Sequence, residues 1–162
     1  MTPSDLSKVN ISEKNEIDDS SMKIDPNKIL NDYNRGAHGY ATSWSEPHPW
    51  MAQVRKDFVS LVKPKSTILD LGCGPGNDCN YFSALDYKVI AIDFSDAMIS
   101  IAKERCPNAV YHLINMLEID TLNLSVDAIW MAFSLLHIPK DKVETLVKKL
   151  ANSMVSGGVL FI

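Results

Sequence analysis

Three glycines and two carboxylates hold most of the chemistry that this 162-residue sequence can offer. Gly72, Gly74 and Gly76 follow directly on an apolar run in "TILDLGCGPGND", with Asp70 just ahead of them, and Asp93 closes the next apolar run, "KVIAID". Glycines at a strand-to-helix turn remove the β-carbons that keep a ligand off the backbone and allow positive φ. The helix that opens after them begins with free N–H groups that could serve a polar ligand. An acidic residue ending the second strand, about 20 residues after the first glycine, stands where a carboxylate accepts from ribose hydroxyls. The glycines read G-x-G-x-G, whereas dinucleotide folds use G-x-G-x-x-G with a pyrophosphate over the helix start. A carboxylate at Asp70 would repel a pyrophosphate and welcome an ammonium group. Together these residues point to a ligand that is part nucleoside and part amino acid. The plainer alternatives are a structural glycine turn and an Asp93 that caps the helix beginning near Ser95.

Short apolar runs alternating with amphipathic segments must position these groups. "TILDL" (67–71), "KVIAID" (88–93), "VYHLIN" (110–115), "DAIWMAF" (127–133) and "GGVLFI" (157–162) have strand length and are apolar on both faces, as in a sheet covered on two sides. "NDCNYFSAL", "SDAMISIAKER" and "DKVETLVKKLANSM" are the intervening helices, the last with Val143, Leu146, Val147 and Leu150 on one face. The alternation predicts an α/β fold with a doubly wound parallel sheet. Upstream, 25–62 is helical with a break at "EPHPW", and Val54, Phe58, Leu61 and Val62 give the second helix a buried face. Residues 1–24 are too polar to pack and form a flexible arm. One domain, 25–162, follows.

The four motifs in chain order resemble class I S-adenosylmethionine-dependent methyltransferases. "ILDLGCGPGND" is similar to that family's first motif, "VIAIDFSDAMISIAKE" to its second, "DAIWMAFSLLHIP" to its fourth-strand motif and "LVKKLANSMVSGGVLFI" to the helix and glycine-rich turn before strand five. The resemblance implies a Rossmann-like sheet of order 3-2-1-4-5 behind N-terminal helices, with S-adenosyl-L-methionine as cofactor and a small-molecule methyl acceptor. It implies that Asp70 and the backbone of Gly72, Cys73, Gly74 and Gly76 hold the methionine moiety, that Asp93 takes the ribose hydroxyls and that Phe94 lies against the adenine. Asn115 stands where the family commonly has an Asp, and its amide oxygen can accept from the adenine amino group; Met116 would donate its backbone N–H to the ring. Residues Ala132–Leu135, Phe133 among them, would flank the sulfonium. Tyr33, Tyr40 and Trp44 would form a lid, with a helix-packing face as the plain alternative. His137 is the candidate general base, since an imidazole can take a proton near neutral pH, against the reading that it only supports its loop.

A net charge of −4 and the absence of a basic stripe imply no nucleic-acid partner. Neither a membrane span nor a signal peptide is readable, so the protein is expected in the cytoplasm. Cys73, Cys79 and Cys106 form no metal-ligand pattern, and no metal site is expected. The chain stops in strand five, which in the family is followed by a helix and strands six and seven. The expectation is therefore a fragment lacking that C-terminal portion, or a strand-five edge covered by a partner chain. A methyltransferase, or a piece of one, is the leading reading, beside a non-catalytic S-adenosylmethionine-binding regulatory or interaction module.

Overall fold

The computed structural model of the chain describes residues 25–44 and 49–162. Five strands, β1 (Thr67–Leu71), β2 (Lys88–Asp93), β3 (Val110–Leu113), β4 (Val126–Trp130) and β5 (Met154–Phe161), form one parallel sheet in the order β3-β2-β1-β4-β5. Helices α1 (Pro26–Ser43), α2 (Pro49–Leu61), α3 (Asn77–Ala84), α4 (Asp96–Arg105) and α5 (Lys140–Asn152) accompany them, with 3-10 turns at Met116–Leu122 and Leu135–His137. The expected α/β sheet and its strand order are those observed. The chain steps outward from β1 to β3 and then returns to the other side of β1, so β1 and β4 bracket a switch point where parallel sheets open a crevice at their C-terminal ends.

β1 is central, and Ile68, Leu69 and Leu71 are wholly buried because each face meets a helical layer. One face packs Ile68, Ala128 and Trp130 against Phe58 of α2 and Phe82 of α3, with ring centroids of Phe58 and Trp130 5.0 Å apart. The other packs Leu69, Leu71 and Ile129 against Leu146 and Leu150 of α5 and Ile119 of the first 3-10 turn. A buried leucine in either layer contributes about 1.5–3 kcal/mol relative to exposure. α1 starts as its sequence suggests: Asp25 caps it by accepting from the Asn27 and Lys28 N–H groups, and Pro26 takes the first turn, where its missing N–H costs nothing.

Four local expectations are corrected. β3 is an edge strand, so Val110 and Leu113 are exposed rather than covered on both sides. β4 stops at Trp130, because at Phe133 the backbone turns to φ +57°. β5 begins at Met154, ahead of its glycines: Val126 pairs with Met154 and Ala128 with Val159, so Gly157 and Gly158 lie in a bulge within the strand rather than in a turn before it. Leu61 is 69% exposed, whereas Met51, Arg55, Phe58 and Val62 form the buried stripe of α2 and its end. Residues 1–24 and 45–48, which include the expected arm and part of the expected break, lie outside the described residues. Among the described residues, no helix is long and apolar enough to cross a membrane and no cluster of side chains could hold a metal ion.

Candidate functional site

The glycine loop turns its amides inward. The N–H groups of Gly72 and Cys73 both donate to the Ile92 carbonyl at 2.8 and 2.9 Å, that of Gly74 to Asp93 Oδ2 at 2.8 Å and that of Gly76 to the Cys73 carbonyl at 3.0 Å. These four amides are spent within the protein, three on β2 and one inside the loop, so none of them is left to cradle a pyrophosphate. Its shape requires glycine at two points. At Gly72, φ is +82° and a β-carbon would stand 2.5 Å from Ser134 Cβ; at Gly76, φ is +79° and a β-carbon would meet Ala102 Cα and Cβ at 2.9 Å. The loops after β1 and β4 are joined at this point, where Ser134 Oγ donates to the Leu71 carbonyl at 2.7 Å.

Asp93, 8% exposed, stands at the end of β2 between two backbone donors, Gly74 N–H on Oδ2 and Ser95 N–H on Oδ1 at 2.9 Å. Each oxygen keeps a lone pair for a further donor. Burial raises its pKa, an effect opposed by these hydrogen bonds. It does not cap α4; Ser95 does, accepting from the Met98 N–H at 3.1 Å. The Ser95 hydroxyl also donates to Asn34 Oδ1 at 2.5 Å and so fastens α1 over this end of the sheet.

A cavity of about 300 Å³ opens between that helix and the sheet. Of the residues singled out in the sequence, Tyr33, Tyr40, Gly72, Gly74, Asp93 and Phe94 line it. So do Asn115, Met116, Phe133 and His137. Asn115 Oδ1 already accepts the Leu117 N–H at 2.9 Å, capping the 3-10 turn. The tyrosines form part of an aromatic roof that continues from Tyr33 through Tyr40 and Trp44 to Phe133, with centroid distances of 5.8, 5.9 and 6.0 Å. Tyr33 Oη lies 2.8 Å from His137 Nε2. Burial lowers the His137 pKa, against the opposing charge of Asp93, and so favours the neutral ring.

Asp70 and Cys73 are placed differently. Asp70 is 2% exposed and lines neither this cavity nor its neighbour; the Cys79 thiol donates to its Oδ2 at 3.1 Å. Desolvation holds its pKa well above the usual carboxylate range, with the charge of Asp78 acting in the same direction. Cys73 lines only a second, smaller cavity of about 70 Å³, which shares Tyr40, Gly72, Gly74, Ala132 and Phe133 with the first. Gly76 lines neither cavity; it closes the loop against α4.

The second cavity contains residues that sequence reasoning missed. Arg55 of α2 is buried, with Nε 2.5 Å from Asp78 Oδ1 and its guanidinium over the Tyr81 ring. A single arginine in an amphipathic helix reads as solvent-facing, and its partner lies on α3, so no local signal announced the pair. Ser134, whose β-carbon contact makes Gly72 obligatory, was likewise unreadable except as part of the segment after β4.

A family model described as a methyltransferase domain matches residues 68–158. Trans-aconitate 2-methyltransferase of Variovorax paradoxus is 34% identical over 99 residues, 59% of this chain and 37% of that protein. Carboxy-S-adenosyl-L-methionine synthase of Helicobacter pylori is 33% identical over 118 residues, 67% of this chain and 47% of that protein. The chain thus spans less than half the length of these curated relatives. Among solved structures, magnesium protoporphyrin IX methyltransferase of Synechocystis with bound S-adenosylmethionine superposes with a TM-score of 0.67 at 15% identity, covering 79% of this chain and 71% of that one. That likeness is one of fold.

Proposed function

The chain belongs to the class I S-adenosylmethionine-dependent methyltransferase family, and on that premise we propose that its cavity binds S-adenosyl-L-methionine for methyl transfer to a small molecule. The observation that carries this reading is the glycine loop: every amide donor among Gly72, Cys73, Gly74 and Gly76 is consumed by the protein, while Asp93 beside it retains acceptor capacity. Such a wall suits a ribose and a zwitterionic amino acid and not a diphosphate.

The residues fit that cofactor. Asp93 would accept from the ribose hydroxyls, and the apolar slot of Phe94, Met98 and Ile114 would take the purine. Arg55 and Asp78, opposite charges in the adjoining cavity, match a carboxylate and an ammonium group. When bound, the cofactor supplies a methyl group already activated by a sulfonium. The chain's own contribution is then alignment and exclusion of water, for which proximity accounts for several kcal/mol of barrier. Tyr33, Tyr40 and Phe133 supply the cover, and His137 stands ready to hold a proton.

Calorimetric titration with S-adenosylhomocysteine, with NADH in parallel, tests the reading. Binding of the first and not of the second is expected. NADH binding with a silent S-adenosylhomocysteine titration would replace the methyl-donor site with a dinucleotide one.

A further inference from the structure

The roof and floor of the main cavity meet in one polar pair. Tyr33 comes from α1 and His137 from the turn after β4, and their side chains share a hydrogen bond of 2.8 Å with the rings edge-on at 5.4 Å. Both line the cavity, as does Phe133, whose ring is half-exposed, while Leu136, in the same turn as His137, is exposed. Phe133 adopts a positive φ that only strain-tolerant sites support, and its ring lies between Trp44 and Trp50 at 6.0 and 5.9 Å. Among the described residues, the rings of Tyr33, Tyr40, Phe94 and Phe133 line this cavity, so much of its wall is flat and aromatic, and within it a hydroxyl is linked to an imidazole.

Resting on the methyl-donor reading of the cavity, we propose that Tyr33 and His137 form a proton relay, and that the methyl acceptor is a small molecule carrying a neutral hydroxyl on a planar apolar body. The acceptor oxygen bonds to the methyl carbon as the carbon–sulfur bond breaks and its electron pair stays on sulfur. The hydroxyl proton passes to the Tyr33 oxygen while the Tyr33 proton passes to His137 Nε2. The positive charge that leaves sulfur reappears on the imidazole, so charge balances.

The pair selects this class of acceptor because of what the alternatives need. A carboxylate is already ionised and gains nothing from a base. An ammonium group has no lone pair until it has lost its proton, and an amine near pKa ~10 yields that proton poorly to an imidazole near ~6.5. A hydroxyl keeps lone pairs while protonated and can attack as its proton leaves. Among the described residues, the other charged or titratable groups on the cavity wall are Asp93 of β2, Tyr40 of α1 and Lys142 of α5. Burial favours neutral imidazole and neutral Tyr33, against the pull of Asp93 toward imidazolium, so the surroundings favour an uncharged relay.

The test uses the full chain saturated with S-adenosylhomocysteine and 4-nitrophenol as probe, because its phenolate absorbs visible light and its neutral form does not. At a pH below the probe's own pKa, bound 4-nitrophenol is expected as phenolate, with protonation of His137 seen in the nitrogen shifts of its imidazole. Tyr33→Phe, which keeps the ring, and His137→Gln should each lower the ratio of ionised to neutral bound probe about tenfold, the equivalent of one pKa unit. Binding of the neutral phenol, equal ionisation in both variants, no bound probe, or tighter binding of benzoate would each overturn the relay. Failure of S-adenosylhomocysteine itself to bind would instead overturn the methyl-donor reading, and the two failures are distinguished before the probe is added.

Discussion

Replacing Asp93 by alanine should damage the fold and the site by separable amounts. Two backbone donors depend on this side chain, the Gly74 N–H at 2.8 Å and the Ser95 N–H at 2.9 Å. Ser95 is fully buried, so its amide would lose its only acceptor without access to water, at a cost of about 1–3 kcal/mol. Gly74 lines the cavity, where water can replace the carboxylate, and its share falls near ~1 kcal/mol. The sum, about 2–4 kcal/mol, corresponds to a fall in melting temperature of roughly 5–15 °C for a chain of this size. Part of the loss is offset because burial already disfavours the charged carboxylate. Asp93→Asn keeps one acceptor and should fall midway. Circular-dichroism melts of the three proteins at one pH measure the structural share. Titration with S-adenosylhomocysteine at a temperature where all are folded measures the other, expected as a loss of about 1–3 kcal/mol, or 5- to 150-fold. An unchanged melt would refute the assignment of these two hydrogen bonds, and wild-type affinity in a folded Asp93→Ala chain would remove Asp93 from the donor site.

Three further outcomes are expected. Gly76→Ala should destabilise by the left-handed penalty of about 1–2 kcal/mol plus its collision with Ala102, whereas Gly157→Ala, equally left-handed but facing open space, should cost the penalty alone; equal urea midpoints would discount the contact with α4. Asp70 binds its proton more tightly when folded, so its contribution is fully present below about pH 4 and is lost as pH rises through the raised folded value; stability from about pH 4 to pH 8 should therefore decline less in Asp70→Asn, and identical slopes would refute the burial argument. Asp78→Asn strands a buried guanidinium and should cost about 3 kcal/mol, much of it recovered when Arg55→Met is added; additive losses in chemical denaturation would show that the two charges do not support each other.

What could be read in advance follows from how local each signal is. β1 and β2 were legible to the residue because continuous aliphatic runs end abruptly at Gly72 and Phe94. The start of β5 was not, since Gly157 and Gly158 resemble a turn in any window and become a bulge only through pairing with Val126 and Ala128. Leu61 leaves its expected buried place because the buried stripe of α2, which takes in Arg55, is set by where β4, β5 and α3 lie, which helix periodicity does not encode. At the site, Asp93 and the glycines were visible through spacing. The meeting of Tyr33 with His137, far apart in sequence, exists only in the folded topology. The fate of the loop amides also needed coordinates, because G-x-G-x-G does not say which carbonyl each donor will find.

One wall of the cavity is the glycine loop, cross-tied through Gly72, Gly74 and Ser134 to neighbouring strands and loops, whereas its roof is a row of aromatic side chains, Tyr33 to Trp44, on a helix fastened at that end by Asn34 and Tyr33. The loop ties are hydrogen bonds of backbone groups and the roof rests on side chains, so the roof is the part better able to yield. Under the proposed cofactor reading, a ligand would enter and leave by displacing the row from Tyr33 to Trp44. Trimming those rings is expected to change exchange rate and affinity together, because Tyr33 and Tyr40 also line the cavity.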